Sequence, residues 1–388
     1  MADHSLIFPG SEFEGRVSRL QAQMAKDGIA TLLLTLPADI FYVTGFLTRF
    51  WESPARPWFV VVPTDRDPIA VIPSIGAELM GRTWITDIRT WDAPNPNDDG
   101  ISLLVDTIQE VTPDHASLGT PLGLETHIRM PGADFASLQD AVLLRKIIDA
   151  TASVQRVREI KSEPEIECIR ATCAIADRAF ERVPEFAEMG RPLDEVFRAF
   201  QIACLEEGAD WVSYVAGAAD QGGYGDVISP AGPEPLAQGD ILMLDTGAVR
   251  DGYFCDFDRN FAIGTPSDAA ARTHAALWRA TEKVLQTLRP GHTASDVHRM
   301  LCRALDAEGA TPGGGRLGHG LGVTLTEWPS FTPRDHTPLR AGMVLTLEPS
   351  ALVTPGRMIV QEENIVLRDD GAELLSTRAP ENLPVIPV

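Results

Sequence analysis

Five potential metal ligands in the second half of the chain constrain its fold more than any other feature. Four are carboxylates and one is an imidazole: Asp245, Asp256, His319, Glu348 and Glu362. The acids lie in or beside apolar runs such as 241–244, 343–347 and 365–367. Any one acid taken alone would be a solvated surface charge, but a buried acid needs an ion-pair partner, hydrogen bonds or a metal. The set therefore predicts a buried metal site assembled from distant parts of the sequence.

The chemistry of these donors indicates which ions they bind. Carboxylate oxygens and an imidazole nitrogen suit hard or borderline divalent ions such as Mn, Co, Fe or Zn. With only five side chains, carboxylates must bridge the ions if two are bound. Two ions about 3.5–4 Å apart can hold and deprotonate a water for attack on a carbonyl. We therefore expect two divalent metal ions as the cofactor.

The strings around these residues resemble one known family, the pita-bread metallohydrolases. Its members include aminopeptidase P, prolidase, methionine aminopeptidase and the metal-free relative creatinase. The family pattern is an Asp in D-x-G, an Asp before x-x-Arg, a His in G-H-G-x-G, a Glu in E-P and a Glu in E-[DE]-N. The residues that match it, in order, are Asp245, Asp256, His319, Glu348 and Glu362. The resemblance begins at about residue 12 and includes the smaller N-terminal domain of prolidases and creatinase.

The resemblance implies two domains, an α/β N-terminal domain over 1–160 and an α+β pita-bread catalytic domain over 161–388. Local patterns point the same way, because apolar periodicity and turn residues predict alternating elements before residue 160. The predicted helices cover 12–28, 38–44, 75–81, 100–112, 133–141, 163–183, 193–207, 267–288 and 294–308. The predicted strands of the first domain cover 31–35, 58–63, 69–73, 84–90 and 121–125. The string 162–165 opens the second domain with a proline and acids in the first helical turn.

The same resemblance implies roles for the ligands. Asp256 and Glu362 would bridge the two ions, and a metal-bound hydroxide would attack the carbonyl of a small amide or dipeptide-like substrate. Glu348 would take the proton from the attacking water. The expected activity is that of a metallohydrolase related to the Xaa-Pro peptidases.

The chain departs from the peptidases at two histidine positions. Where they have His-Glu-x-Pro after the metal histidine, this chain has Thr326 followed by Glu327, and its loop 215–226 contains no histidine. Those histidines bind substrate and stabilise the tetrahedral intermediate, as oxyanion donors do. Thr326 is therefore a candidate substrate-binding residue. Tyr224 and Asp226 are candidates for a catalytic proton donor or acceptor, with plain turn residues as the alternative.

Two arginines suggest a substrate that carries a carboxylate. Arg56, followed by Pro57 and Trp58, resembles the string by which creatinase reaches its small acid substrate from the partner subunit. Arg334 lies near another position at which creatinase binds a carboxylate. A guanidinium group binds a carboxylate through two hydrogen bonds. We take Arg56, Trp58 and Arg334 as candidate substrate-binding residues and expect a homodimer, with surface arginines and a core tryptophan as the alternative.

Two other functions remain open. The scaffold also supports non-peptidase chemistry on small carboxylate-bearing metabolites, as in creatinase-like, ectoine-hydrolase-like or dimethylsulfoniopropionate-lyase-like relatives. The lyases resemble this chain around Glu362, but Gly247 stands where they would have a further acid. A non-enzymatic binding module is the third possibility, and the complete ligand set argues against it.

Composition limits the partners and the compartment. The net charge of −22 argues against nucleic acid, which is bound by clustered Lys and Arg, and against anionic membranes. We also expect no membrane span, because no apolar run reaches the required length. The five cysteines form no CxxC pair, and the first residues lack the basic and apolar segments of a signal peptide. A reducing cytoplasm is the simplest prediction.

Overall fold

The computed structural model describes residues 7–53 and 55–388. The chain divides into two compact units between Arg158 and Glu159. Residues 1–6, which bear on the signal-peptide prediction, and Pro54, which precedes the Arg56 string, lie outside the described residues. Within those residues, none of the helices has both the length and the apolar composition that a membrane crossing requires. The five cysteines are free thiols, and the cytoplasmic location stays a prediction.

Helices and strands alternate along the first unit. They are α1 (Gly10–Asp27), β1 (Thr31–Leu34), α2 (Pro37–Thr44), β2 (Phe59–Pro63), β3 (Ile69–Pro73), α3 (Ala77–Met80), β4 (Asp87–Trp91), α4 (Ile101–Val111), β5 (Ser117–Thr120), α5 (Gly132–Ala141), β6 (Lys146–Asp149) and α6 (Thr151–Arg158). Short 3-10 helices cover Phe50–Glu52 and Ser74–Gly76. The strands form one sheet in the order β4-β3-β2-β1-β5-β6.

Both faces of this sheet are buried. Leu33 of β1 belongs to a core that includes Leu104 and Ile108 of α4. Its neighbours in β1 belong to the opposite core, which includes Leu20 of α1 and Val154 of α6. Side chains of a strand alternate between faces, so apolar residues at every position require helices on both sides of the sheet. The predicted α/β class of the first unit is confirmed.

One predicted strand is wrong and two elements were missed. The prediction placed a strand at 121–125, whereas the structure places β5 at Ser117–Thr120. Pro121 has no amide proton for a ladder, and Glu125 has a positive φ of 58°. The glycine inside β5 hid the strand from the apolar pattern. No helix or strand was predicted over Lys146–Asp149 or Thr151–Arg158, where the structure has β6 and α6.

The second unit mixes helices with mainly antiparallel strands. They are α7 (Glu163–Glu181), α8 (Leu193–Glu206), β7 (Trp211–Gln221), β8 (Asp240–Arg250), β9 (Tyr253–Phe254), β10 (Phe257–Ile263), α9 (Asp268–Thr287), α10 (Ala294–Ala307), β11 (Thr311–Pro312), β12 (His319–Gly320), β13 (Glu327–Ser330), β14 (Val344–Leu347), β15 (Ser350–Thr354), β16 (Arg357–Val360), β17 (Glu363–Arg368), β18 (Gly371–Leu374) and β19 (Val385–Ile386). A 3-10 helix covers Val183–Glu185. This composition confirms the predicted α+β class.

Two sheets of this unit carry the predicted ligands. One has the order β19-β10-β8-β7, with β9 also paired to β8, and the other has the order β13-β12-β14-β17-β18. A third, three-stranded sheet has the order β11-β15-β16. The apolar residues of β14 and β17 pack against α10, and those of β8 pack against α9. The ligand-bearing strands are thereby fixed by the unit's cores.

The predicted start of α7 is confirmed by its cap. Ser162 and Glu165 form a capping box, and a proline occupies the first turn. The main-chain N–H of Ser162 donates to Glu165 Oε2 at 3.0 Å. These contacts satisfy amide donors that have no partner inside the first turn.

A buried histidine in α9 gives the folded state a dependence on pH. His274 Nε2 lies 3.1 Å from Pro380 O, and its Nδ1 lies 3.0 Å from Gln361 Nε2. Burial lowers the pKa of His274 from its usual value to about 4. The unfolded chain titrates near 6.5, so the folded state binds fewer protons between these values. Stability from this group is complete above about pH 6.5 and is lost as the pH falls towards 4.

We expect the metal-free wild-type protein to lose about 3 kcal/mol of unfolding free energy through His274 between pH 6.5 and 4. The carboxylates also titrate in this range. Urea unfolding at a series of pH values therefore gives the slope of the unfolding free energy against pH, and this slope is compared between wild type and His274→Gln. The variant should show the shallower slope. Identical slopes would contradict the assignment.

Candidate metal centre

Three of the five predicted ligands converge in the second unit. Asp256, His319 and Glu362 each offer a ligand atom, and these atoms lie within 4.8 Å of one another. All three side chains are buried. His319 Nε2 lies 3.2 Å from Asp256 Oδ2. Residues more than a hundred positions apart in sequence are therefore brought to one point.

Glycines on both sides of His319 allow its strand to lie between two others. Gly318 has a φ of +145°, and a Cβ there would lie 2.3 Å from Thr346 O. A Cβ at Gly320 would lie 2.1 Å from Trp328 O. Any side chain at these positions would push β12 away from β13 and β14. The G-H-G string is thus a packing requirement around the imidazole.

The imidazole of His319 is oriented by its own backbone. Its Nδ1 lies 2.7 Å from Gly320 O, which makes Nδ1 the protonated nitrogen in the neutral ring. Nε2 then faces Asp256 with its lone pair available, as a metal-binding histidine requires.

Hydrogen bonds connect the segment around Asp256 to the segment around Glu362. Asp256 N donates to Asn364 Oδ1 at 2.9 Å, and Asn364 Nδ2 donates back to Asp256 O. Arg259 Nη1 donates to Glu362 O at 2.9 Å, and its Nη2 lies 3.0 Å from Glu363 Oε2. The Arg and Asn of the two motifs therefore position the backbones of Asp256 and Glu362.

Tyr214, which the sequence analysis missed, connects Asp245 to this cluster. Its Oη lies 2.5 Å from Asp256 Oδ1 and 3.1 Å from Asp245 Oδ1. Loss of solvation raises the pKa of Asp245 well above its usual value, and the charge of Asp256 adds to this effect. Tyr214 lies in β7, one strand away from β8. Only the pairing of the two strands reveals this contact.

Glu348 lies outside the three-residue cluster and contacts an arginine. Arg316 Nε lies 3.1 Å from Glu348 Oε1, with side-chain exposures of 35% and 20%. Burial raises the pKa of Glu348, while the charges of His319 and Arg316 oppose the rise. Arg316 follows the glycine run 313–315. The arginine itself was missed.

The residues present fit a bound cation. Glu362 Oε1 is buried and has no hydrogen-bond partner within residues 7–53 and 55–388. Burial raises the pKa of Glu362 well above its usual value, followed by the charges of Asp256 and Glu348. Such a cluster of desolvated carboxylates is costly unless a cation neutralises it. The oxygen and imidazole donors suit Mn, Co, Fe or Zn.

A fifth acid, also buried, lies beside this set. Asp258 pairs with Asp245 across β10 and β8. Burial raises the pKa of Asp258 well above its usual value, the charge of Asp245 adds to the rise, and Arg259 opposes it. Asp258 lies within the Asp-x-x-Arg string of Asp256, and no role was predicted for it.

The candidates for a catalytic proton carrier do not join the cluster. Tyr224 is fully buried, and its hydroxyl donates to Asn260 Oδ1 at 3.0 Å and accepts from Val360 N at 2.8 Å. Asp226 is exposed and accepts from the main-chain N–H of Ile228 at 2.9 Å. The catalytic interpretation is corrected at both positions: Tyr224 is a core residue and Asp226 closes a turn.

The predicted substrate-binding residues are spread over both units. Trp58 is buried in the first unit's core, with its ring centroid 5.1 Å from that of Phe46. This placement agrees with a core tryptophan, the alternative to substrate binding. Arg56 is half-buried with a φ of +66°, and Arg334 is exposed. Thr326 is half-buried and precedes β13, so it alone of these four lies next to a strand that pairs with the His319 strand.

A buried ion pair fixes the segment that carries Thr326. Lys161 Nζ lies 3.0 Å from Glu327 Oε2, with side-chain exposures of 1% and 5%. Glu327 Oε1 accepts from the main-chain N–H of Thr324 at 3.3 Å. The pair therefore links the start of the second unit to the loop beside His319.

Lys161→Met should lower the free energy of unfolding by about 3–5 kcal/mol, because it leaves Glu327 charged, buried and without its cation. Lys161→Met combined with Glu327→Leu should recover most of that loss, since an apolar pair carries no desolvation cost. Urea unfolding measures both. The exposed Lys283→Met is the control and should stay within about 0.5 kcal/mol of wild type. A single variant as stable as that control would contradict the prediction.

Comparison with known proteins identifies similarities over both units. A sequence model described as metallopeptidase family M24 matches residues 167–369. A second model, described as the creatinase/prolidase N-terminal domain, matches residues 16–160. The two matches together span both compact units.

Individual relatives extend over nearly the whole chain. The probable dipeptidase PepE of Mycobacterium tuberculosis is 28% identical over 391 residues, covering 98% of each chain. The Xaa-Pro dipeptidase of Pyrococcus horikoshii is 23% identical over 368 residues, covering 93% of this chain and 96% of that protein. The crystal structure of dipeptidase PepE from Mycobacterium ulcerans superposes with a TM-score of 0.84 at 27% identity, covering 98% of this chain and 100% of that one.

Proposed function

This chain belongs to metallopeptidase family M24, and on that premise we propose that it hydrolyses a small amide or dipeptide with two divalent metal ions. The observation that carries the proposal is the buried cluster of Asp256, His319 and Glu362, in which one carboxylate oxygen of Glu362 has no partner among the described residues. Asp245 and Glu348 complete the proposed ligand set. The similarity to PepE over the whole chain confirms the creatinase/prolidase-like fold class.

Two bound ions would supply an activated water and polarise the carbonyl of the substrate. Asp256 and Glu362 would hold both ions, and Asp245, His319 and Glu348 would supply the remaining donors. Tyr214 would keep Asp245 and Asp256 in their positions through its hydroxyl. Glu348 would accept the proton of the attacking water, as the family resemblance implies.

The substrate is proposed from the relatives and from one partly exposed cation. PepE and the archaeal relative are named dipeptidases, which supports a dipeptide-like substrate here. Arg316 lies beside Glu348 with a third of its side chain exposed. A guanidinium group there suits the free carboxylate of a compact substrate. Arg334 and Arg56 remain predictions.

A second candidate function is hydrolysis or elimination on a small carboxylate-bearing metabolite. Thr326 and the histidine-free segment 215–226 favour it, because the usual imidazole donors to a peptide substrate are missing. Creatinase-like, ectoine-hydrolase-like and dimethylsulfoniopropionate-lyase-like reactions belong to this class. Manganese is our proposal for the native metal, because four of the five donors are carboxylates.

The decisive experiment is metal analysis followed by a substrate screen. The purified protein is stripped with a chelator, reloaded with Mn, Co or Zn, and offered dipeptides and N-acyl amino acids. We expect two ions per chain and hydrolysis only in the reloaded protein. Hydrolysis that survives complete metal removal, or a protein that retains no ion, would overturn the proposal.

We also propose a homodimer in which Arg56 reaches the partner's active site. Its support is the resemblance of the Arg56 string to creatinase. Sedimentation at assay concentrations should give a dimer, and Arg56→Ala should raise KM more than it changes kcat. A fully active monomer would contradict this proposal.

A further inference from the structure

Two buried acids outside the metal centre, Asp240 and Glu363, have partners for both oxygens. Asp240 accepts from Gln221 Nε2 at 2.6 Å through Oδ1 and from Ala237 N at 2.8 Å through Oδ2. Glu363 also has a donor at each oxygen: Arg378 donates to Oε1 and Arg259 donates to Oε2. The fold therefore satisfies a buried carboxylate fully where its role is structural.

Asp258 differs from these acids. It is 2% exposed, and its Oδ1 accepts from Asn260 Nδ2 at 3.3 Å. Its Oδ2 is buried without a hydrogen-bond partner. In the part of the chain that the structure describes, the other buried carboxylate oxygen in this state is Glu362 Oε1, which belongs to the ligand set. An unpartnered buried carboxylate oxygen requires a donor or a cation.

The strand register directs Asp258 towards the metal ligands. Asp258 is the ladder partner of Asp245 in the antiparallel pair of β10 and β8, so their side chains leave the same face, with Cβ atoms roughly 4.5–5.5 Å apart. Asp256 precedes Asp258 by two residues and lies immediately before β10. Arg259 points to Glu363 instead. Like charges directly opposite each other repel, and a cation bound between Asp245 and Asp258 would remove that repulsion.

We propose that Asp258 is a sixth ligand of the metal centre and supplies its fifth carboxylate, on the side of Asp245. This inference rests on the proposed two-ion function. The centre then has five carboxylates, at Asp245, Asp256, Asp258, Glu348 and Glu362, against the four positive charges of two divalent ions. The excess negative charge strengthens cation binding. An additional hard oxygen donor also favours Mn over Zn relative to a centre without it.

Asp258→Asn tests the proposal because it removes the charge and keeps the shape. The probe is Mn²⁺ alone, and its dissociation constant is measured by competition with a chromophoric chelator. We expect binding at least about tenfold weaker than in wild type, with a larger loss for Mn than for Zn. Asp240→Asn, a buried acid with both oxygens bonded, is the control and should bind Mn as wild type does.

Thermal unfolding separates a ligand from a structural acid. The metal-free Asp258→Asn protein should melt no lower than the metal-free wild type, because the buried Oδ2 has no hydrogen bond to lose. The increase that Mn produces should become smaller than in wild type. A purely structural role would instead lower the metal-free melting temperature and leave the Mn affinity unchanged, and that result would overturn the inference.

The outcome is distinguishable from failure of the proposed function. If wild type binds no divalent ion, the proposed function fails and this inference fails with it. If wild type binds two ions and Asp258→Asn binds them equally well, only this inference fails. Should Asp258→Asn not fold, Asp258→Ser is measured in the same way. Anomalous diffraction from Mn-loaded wild-type crystals gives an independent answer, because a proposal of direct ligation requires Asp258 Oδ2 at coordination distance from an ion.

Discussion

Asp256→Ala should lose at least one of the two metal ions and about 10³-fold or more in kcat/KM, because a lost ion removes several kcal/mol of transition-state stabilisation. Asp256 is the centre of the observed contacts, since its two oxygens lie near Tyr214 Oη and His319 Nε2. Glu362→Ala should behave in the same way for the same reason. Metal content by atomic emission and steady-state kinetics on the best substrate measure both effects.

The control for these variants is Asp240→Ala, which removes a buried carboxylate of the neighbouring strand that faces Gln221 and Ala237. It should keep both ions. Its activity should fall only in proportion to any decrease in the amount of folded protein. An Asp256 or Glu362 variant that retains both ions and full turnover would exclude these residues as bridging ligands. Circular dichroism on each variant separates loss of metal from loss of fold.

The features that sequence alone predicted are those whose physical cause is local. The ligand strings could be recognised because acids within or beside apolar runs predict burial, and because the strings resemble those of one family. The start of α7 was predictable from Ser162 and Glu165, whose capping contacts depend on residues three apart. The fold class followed from the same local patterns together with the family resemblance.

The features that were missed depend on partners distant in sequence. Tyr214 contacts Asp245 only because β7 and β8 are paired. Arg316, which follows the glycine run, contacts Glu348, a residue distant in sequence. Tyr224 carries a proton donor and precedes the first Asp motif, which suggested catalysis, but its hydroxyl is used by Asn260 and Val360 in the core. Composition does not reveal such competition for a hydrogen-bonding group.

Wild-type enzyme loaded with Mn should cleave Xaa-Pro dipeptides with a kcat/KM below about 10⁴ M⁻¹s⁻¹, the lower end of the usual enzyme range. The developing oxyanion and the leaving nitrogen each need a donor. Bound ions can serve the oxyanion, but the imidazoles of the peptidases are replaced by Thr326 and by a histidine-free segment at 215–226. Loss of one oxyanion donor costs on the order of 10²–10³ in turnover.

Thr326→His tests whether this position limits the peptidase reaction. Thr326 is half-buried and adjoins Glu327, whose pairing with Lys161 fixes the local backbone, so an imidazole there would be held in a defined place. We expect Xaa-Pro cleavage to rise by about tenfold or more, within the range for a positioned proton donor. Thr332→His adds an imidazole after β13 instead of before it, as the control, and should give no gain.

Efficient Xaa-Pro cleavage by the wild type would contradict this expectation and would mean that other side chains do the work of the two histidines. Arg316 is then the first to examine, because it is the partly exposed donor in contact with Glu348. A gain in Thr326→His together with a weak wild type would instead indicate that the natural substrate does not need an imidazole donor. The same kinetic series, repeated with N-acyl amino acids, therefore decides between a dipeptide and a small carboxylate-bearing amide.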